Sequence, residues 1–121
     1  MGFDHYHEPT GELSREARTF GRMAALLAGE AEAISRYEQQ LSVERDAAAR
    51  AIMTDAQQEA FNRFGMDLDF LLRRKPRWKV ALQGILSRGG DIVERGEQAE
   101  QASAMEATET LAEQEEEALP L

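Results

Sequence analysis

Glu30 and Glu32 are the residues whose type and placement most readily suggest chemistry: two carboxylates in mid-helix, with Tyr37 one to two turns further on. Such groups can hold a cation or move a proton. Residues two apart on a helix do not share a face, however, so at most one of the pair points inward. A metal site between helices draws further ligands from a facing helix, commonly a Glu-x-x-His pattern. The stretch from Asp46 to Arg74 contains none. It offers Arg63 instead, a permanent positive charge with a planar fork of donors. Near the N-terminus, His5 and His7 form a His-x-His arm beside Glu8 that could coordinate a metal; on a terminus, the pattern reads first as an unstructured arm. There is no nucleophile–base pair, Gly-x-Gly-x-x-Gly loop, phosphate loop or His-Glu-x-x-His. Any redox chemistry would have to be carried by a cofactor, with the protein providing position and electrostatics.

A flavin needs an apolar slot for its flat ring, hydrogen-bond partners for the pyrimidine edge and cations for the phosphate. Gly29 and Gly65 sit inside helical stretches, where each costs about 1 kcal/mol relative to alanine. They admit either the close approach of a ring, with Phe64 alongside, or close packing of two helices. Arg63 lies one position from a Phe61/Phe64 stripe. It can bond a flavin edge or phosphate bidentately, or form an ion pair with Asp67 or Glu59. Arg73, Arg74, Lys75, Arg77 and Lys79 are clustered and read first as a solvated helix end complementing the dipole; the same run could hold a phosphate or attract NAD(P)H. Trp78 beside them is a stacking platform or the anchor of a short helix. The candidate cofactor-binding set is Arg22, Gly29, Tyr37, Arg63, Phe64, Gly65 and Trp78, with no catalytic side chain and no metal ligand assigned.

These residues depend on long helices to position them. Leu13, Ala17, Phe20, Ala24, Leu27, Ala31, Ile34 and Leu41 recur at three- and four-residue steps, predicting a helix over 13–41 with one packed stripe. Thr10 or Ser14 can cap it. After a tight connection at 42–45, Phe61, Phe64, Leu68 and Leu71 mark a second helix over 46–74. Pro76 ends it. A third segment, 78–86, stops at Gly89-Gly90, and one further turn is expected at 91–94. Helices of about 28 residues run roughly 40 Å at about 1.5 Å per residue. A lone hairpin of that length leaves apolar surface wet, so two copies are expected to form a four-helix bundle. The expected class is all-α: a long antiparallel helical hairpin with a short third helix, dimerising, followed by a disordered acidic tail.

The net charge of −9 is unevenly spread, since residues 97–121 carry eight glutamates and no Lys or Arg, whereas residues 1–96 hold 15 acids and 14 bases. An acidic balance argues against nucleic acid. The glutamate-rich end is expected to be a flexible linker. The organisation expected is therefore an arm at 1–9, a helical domain at 10–96 and a tail at 97–121. With no cysteine, disulfides and thiolate metal sites are excluded. Apolar stretches fall short of a membrane span and no signal peptide opens the chain, so a cytoplasmic location is expected.

Several motifs then combine in order: His7-Glu8-Pro9; Glu30-Ala31-Glu32-Ala33-Ile34 with Tyr37 and Gln39; and Met66-Asp67-Leu68-Asp69-Phe70-Leu71 running into Arg73-Arg74. Together they resemble the encapsulated ferritins, short helical hairpins that travel as cargo inside encapsulin nanocompartments. The likeness covers roughly residues 7–87. It implies a ferroxidase site that takes a Glu from the first helix and a Glu-x-x-His from the second, assembled across a dimer interface. Glu30 fits the former; the latter slots fall at Ala60 and Arg63, neither of which ligates iron. A flavin-binding branch of the family matches that departure. The resemblance to it implies a homodimer that binds FMN, oxidises NAD(P)H and reduces ferric iron, reaching the shell protein through its C-terminal tail. The alternative is a non-catalytic cargo or scaffold protein of an iron-storage compartment. A residual iron site built from Glu30, Glu32 and the His5/His7 arm ranks behind both.

Overall fold

A computed structural model describes residues 7–118. A 3-10 turn, Thr10–Glu12, leads into helices α1 (Arg15–Val43), α2 (Ala47–Arg73), α3 (Pro76–Ile85) and α4 (Ile92–Ala118). No strand occurs among the described residues, and no described helix is long and apolar enough to cross a membrane. His5 and Leu119-Pro120-Leu121 lie outside the described residues. The chain divides into two compact units, one ending at Leu71 and the other beginning at Leu72.

In the first unit Ser14 caps α1, its side chain accepting from the Ala17 N–H at 3.0 Å. The Arg18 guanidinium donates to the Thr10 carbonyl and ties the preceding turn to the helix. Asp46 performs the same service for α2, accepting from the Ala49 N–H at 2.9 Å. Arg50 closes the connection by donating to the carbonyls of Leu41 and Glu44. Further along, Gln57 Nε2 donates to the Ile34 carbonyl at 3.2 Å and to Glu38 Oε2 at 2.8 Å. These cross-links pair rising numbers on α2 with falling numbers on α1, so the hairpin is antiparallel.

The inner rows differ in register from the sequence reading. On α1, Phe20, Ala24, Leu27, Ile34 and Leu41 are half-buried as expected, but Ala17 and Ala31 are exposed while Glu30 and Tyr37 turn inward. The seam on α1 runs through Glu30 rather than Ala31, three residues after Leu27 and four before Ile34. On α2 the buried row is Ala60, Asp67 and Leu71, with Phe64 half-buried between them and Phe61 59% exposed. Small Ala60 lets the helices approach, and the larger neighbour is displaced outward.

The second unit corrects the tail. Residues 97–118 are not a loose linker but most of α4, which packs antiparallel on α3. Pro76 opens α3 at its first position, where its missing N–H costs nothing. Ser87, Gly89 and Gly90 take positive φ (59°, 68° and 77°) to reverse the chain. Asp91 then caps α4 through the Glu94 N–H at 2.8 Å. Composition suggested too little apolar area to order this stretch. Docking is achieved instead by close approach: Ala99 and Ser103 are buried, a Cβ on Gly84 would stand 2.7 Å from the Ala99 Cβ, and Ser103 Oγ donates to the Arg77 carbonyl at 2.9 Å.

Candidate functional site

Glu30 and Arg63 meet across the hairpin. Arg63 Nε donates to both carboxylate oxygens, at 3.1 and 3.2 Å, with the Glu30 side chain 16% exposed and that of Arg63 49%. This is neither of the pairings weighed from sequence: the partner is not Asp67 or Glu59 but the inward carboxylate of α1. Glu32, two residues on, is exposed, so one carboxylate of the pair points inward and the other does not.

One turn from Arg63, Asp67 is buried at 9% exposure. Its Oδ2 has no hydrogen-bond partner. Burial, and then the Glu30 charge, push its carboxyl above the ordinary 3.8, with Arg63 pulling the other way. Ala60, fully buried, forms the wall one turn before Arg63. Glu30, Ala60, Arg63 and Asp67 thus surround one spot on the inner face. Among the described residues no group of three or more His, Cys, Asp or Glu could hold a metal. His7 is exposed, and His5 lies outside the described residues.

Of the remaining cofactor candidates on the hairpin, Arg22, Gly29 and Gly65 are exposed, whereas Tyr37 and Phe64 are half-buried. Gly29 and Gly65 are exposed, and an added Cβ at either would meet nothing within 4 Å. Neither is therefore a packing glycine of the hairpin. Arg22, exposed, stands at steps of four and three from Leu26 and Gly29 and shares their face of α1. Phe64 stacks with Phe61, ring centroids 6.3 Å apart and planes 14° from parallel. Tyr37 is half-buried, with the Arg36 guanidinium 5.9 Å from its ring centre. A shallow pocket of about 200 Å³ lies between Ile34, Thr54, Gln57, Gln58 and Phe61. Trp78 belongs to the other unit. It does not anchor α3: it is 53% exposed, with the Lys75 ammonium 5.4 Å from its ring centre.

The family model described as EncFtn-like matches residues 5–88. The chain belongs to the EncFtn-like family. A curated relative, "Ferritin-like protein" of Thermotoga maritima, is 34% identical over 91 residues, which make up 75% of this chain and 80% of that protein. Among solved structures, the crystal structure of protein ne0167 from Nitrosomonas europaea aligns with a TM-score of 0.70 at 31% identity, covering 74% of this chain and 98% of the other. The fold and the encapsulated-ferritin resemblance are thereby shown, and the family match spans both hairpin helices and α3.

Two residues escaped the sequence reading. Asp67 was seen only as part of a motif and as a partner for Arg63. The signal was there: it is a charged residue at a core step of the row Ala60, Phe64, Asp67, Leu71. Gly84 was passed over because its role depends on Ala99, which was assigned to a linker.

Proposed function

We propose that this protein serves an encapsulin compartment as a flavin-dependent ferric reductase, with FMN as cofactor, NAD(P)H as donor and ferric iron as substrate, and that it does not oxidise iron at the hairpin. The observation carrying the reading is the Glu30–Arg63 ion pair. A guanidinium held on the inward carboxylate of α1 neutralises the one ligand the resemblance leaves in place, and Ala60 supplies no donor atom. A fixed cation at that spot repels a metal ion.

A flavin fits the outer face only in part. The pocket of about 200 Å³ on one hairpin is smaller than the roughly 300–1,000 Å³ of typical cofactor sites, so the ring requires a second copy to close over it. Open glycines at 29 and 65 would let the ring approach the backbone, with the Phe61/Phe64 pair and Tyr37 to stack on. Arg22 and the exposed edge of Arg63 would receive the phosphate or the pyrimidine edge. When bound, a flavin takes up two electrons together and releases them singly. The protein's own part is to orient the ring and to supply cations. Shell docking through residues beyond α4, and a place inside a nanocompartment, belong to the same proposal.

The second reading, a non-catalytic scaffold, is favoured by the small size of that pocket. An absorbance spectrum of the purified protein, taken after adding FMN and removing the excess, separates the two. A retained, shifted flavin band followed by NAD(P)H-driven Fe(III) reduction is expected. A colourless protein that releases added FMN refutes the reductase.

A further inference from the structure

The turn that joins α3 to α4 holds a cavity of about 310 Å³, at the lower end of the roughly 300–1,000 Å³ typical of small-molecule sites. Ile85, Leu86 and Ile92 give it an apolar side, and Arg88 and Arg95 a cationic one. Leu86 and Ile92 are 57% and 78% exposed, so the apolar side is open to an incoming group. Neither guanidinium is ion-paired among the described residues. Arg88 donates its Nε to the Gln83 carbonyl at 3.2 Å and has both terminal nitrogens to spare. Arg95 donates Nε to the Gly89 carbonyl at 3.2 Å and Nη1 to Gln98 Oε1 at 3.3 Å, which leaves Nη2. The acids nearest in sequence are engaged elsewhere, Asp91 with the Glu94 N–H and Glu94 with the Gln98 amide. Arg95 is also fixed against the turn, since a Cβ on Gly90 would stand 3.7 Å from its Nε and its Nη2. A cation held in place beforehand loses less freedom when it binds.

Unspent guanidinium donors suit the oxygens of a phosphate or carboxylate, and the apolar wall beside them suits what such a group is attached to. Ile92, the first residue of the 27-residue α4, brings the positive end of that helix dipole to the same cavity. We propose that Arg88 and Arg95 bind a small oxyanion carried on an apolar group, which Ile85, Leu86 and Ile92 receive. This site lies within the second unit, and its failure would leave the flavin reading of the hairpin untouched.

The test is calorimetric titration of the full chain at low salt with phenyl phosphate. One equivalent is expected to bind, about tenfold more tightly than inorganic phosphate, which has no ring to bury. Arg88→Gln is expected to weaken phenyl phosphate about tenfold or more, as loss of a charge-assisted hydrogen bond does. Ile92→Ser is expected to weaken phenyl phosphate while leaving inorganic phosphate unchanged. Arg95→Gln also removes the bond to the Gly89 carbonyl, so the exposed Arg88 is the deciding position. Benzoate in place of phenyl phosphate distinguishes the two head groups, and binding of either that is lost in Arg88→Gln supports the proposal. Undiminished binding by Arg88→Gln overturns it, because the anion then sits elsewhere, on the basic run that leads into α3. Equal affinity of the wild type for phenyl phosphate and inorganic phosphate overturns it without recourse to any variant.

Discussion

Replacing Gly84 with alanine tests whether α4 is docked on α3. The added Cβ would lie 2.7 Å from the Ala99 Cβ and 3.2 Å from its Cα. Carbon atoms in contact prefer about 3.5–4.0 Å, so the helices must part by about 1 Å. That separation also stretches the 2.9 Å hydrogen bond from Ser103 to the Arg77 carbonyl. Overpacking of this kind costs about 1–3 kcal/mol, and alanine returns about 1 kcal/mol of helix propensity. The net loss of docking is therefore about 1 kcal/mol, or roughly fivefold in the undocked population. A glutamate-specific protease reads that population, because eight glutamates lie between Glu97 and Glu117. Where reclosing outruns cleavage, the cutting rate follows the open fraction, so Gly84→Ala is expected to be cut about fivefold faster. Cutting at the wild-type rate or slower would refute the docked α4 and return residues 97 onward to the flexible linker their composition suggests.

Asp67→Asn is expected to stabilise the chain by about 1 kcal/mol at neutral pH, measured by urea unfolding, because it removes a buried unpaired charge. Its folded carboxyl is raised above the ordinary 3.8, so the folded state holds the proton more tightly than the unfolded one. The wild type thus gains stability as pH falls through the folded value and stops gaining below 3.8. The difference between wild type and variant should shrink across that window, and a difference that stays constant from pH 7 to pH 3 counts against the assignment. Gly29→Ala and Gly65→Ala meet open space and are each expected to stabilise by about 0.5–1 kcal/mol. The same changes should weaken FMN retention if the ring lies on that face, and unaltered retention moves it elsewhere.

The helices were legible in the sequence because periodicity and punctuation agreed: Ser14, Asp46, Pro76 and Gly89-Gly90 fall where α1 begins, α2 begins, α3 opens and α3 gives way to α4. The pairing of Glu30 with Arg63 inside one hairpin was not legible, since sequence spacing offers Arg63 only its own-helix neighbours Asp67 and Glu59. Two further features were not. Register differs by one residue in each seam, Ala31 for Glu30 and Phe61 for Ala60: apolar character favours the first of each pair, whereas the inward step goes to a carboxylate held by Arg63 on α1 and to a small alanine on α2. The order of α4 was hidden because its docking rests on Gly84, Ala99 and Ser103. These contribute little hydrophobicity, and their value lies in how near they allow two backbones to come.

That same geometry bears on where a cofactor could bind. No large side chain is fully buried among the described residues, while Leu26, Ile52, Phe61 and Met66 are all more than half exposed. The inner face of the hairpin is taken up by the Glu30–Arg63–Asp67 charges and by Ala60, Leu71 and half-buried Phe20, Leu27, Ile34 and Phe64. Exposed aromatic and aliphatic side chains, with Gly29 and Gly65, lie away from that row. Flavin carried by this protein would therefore have to be held between hairpins and not within one. Cofactor retention would then fall on dilution together with the proposed dimer, whereas the inner charge cluster, contained within one chain, would be unaffected.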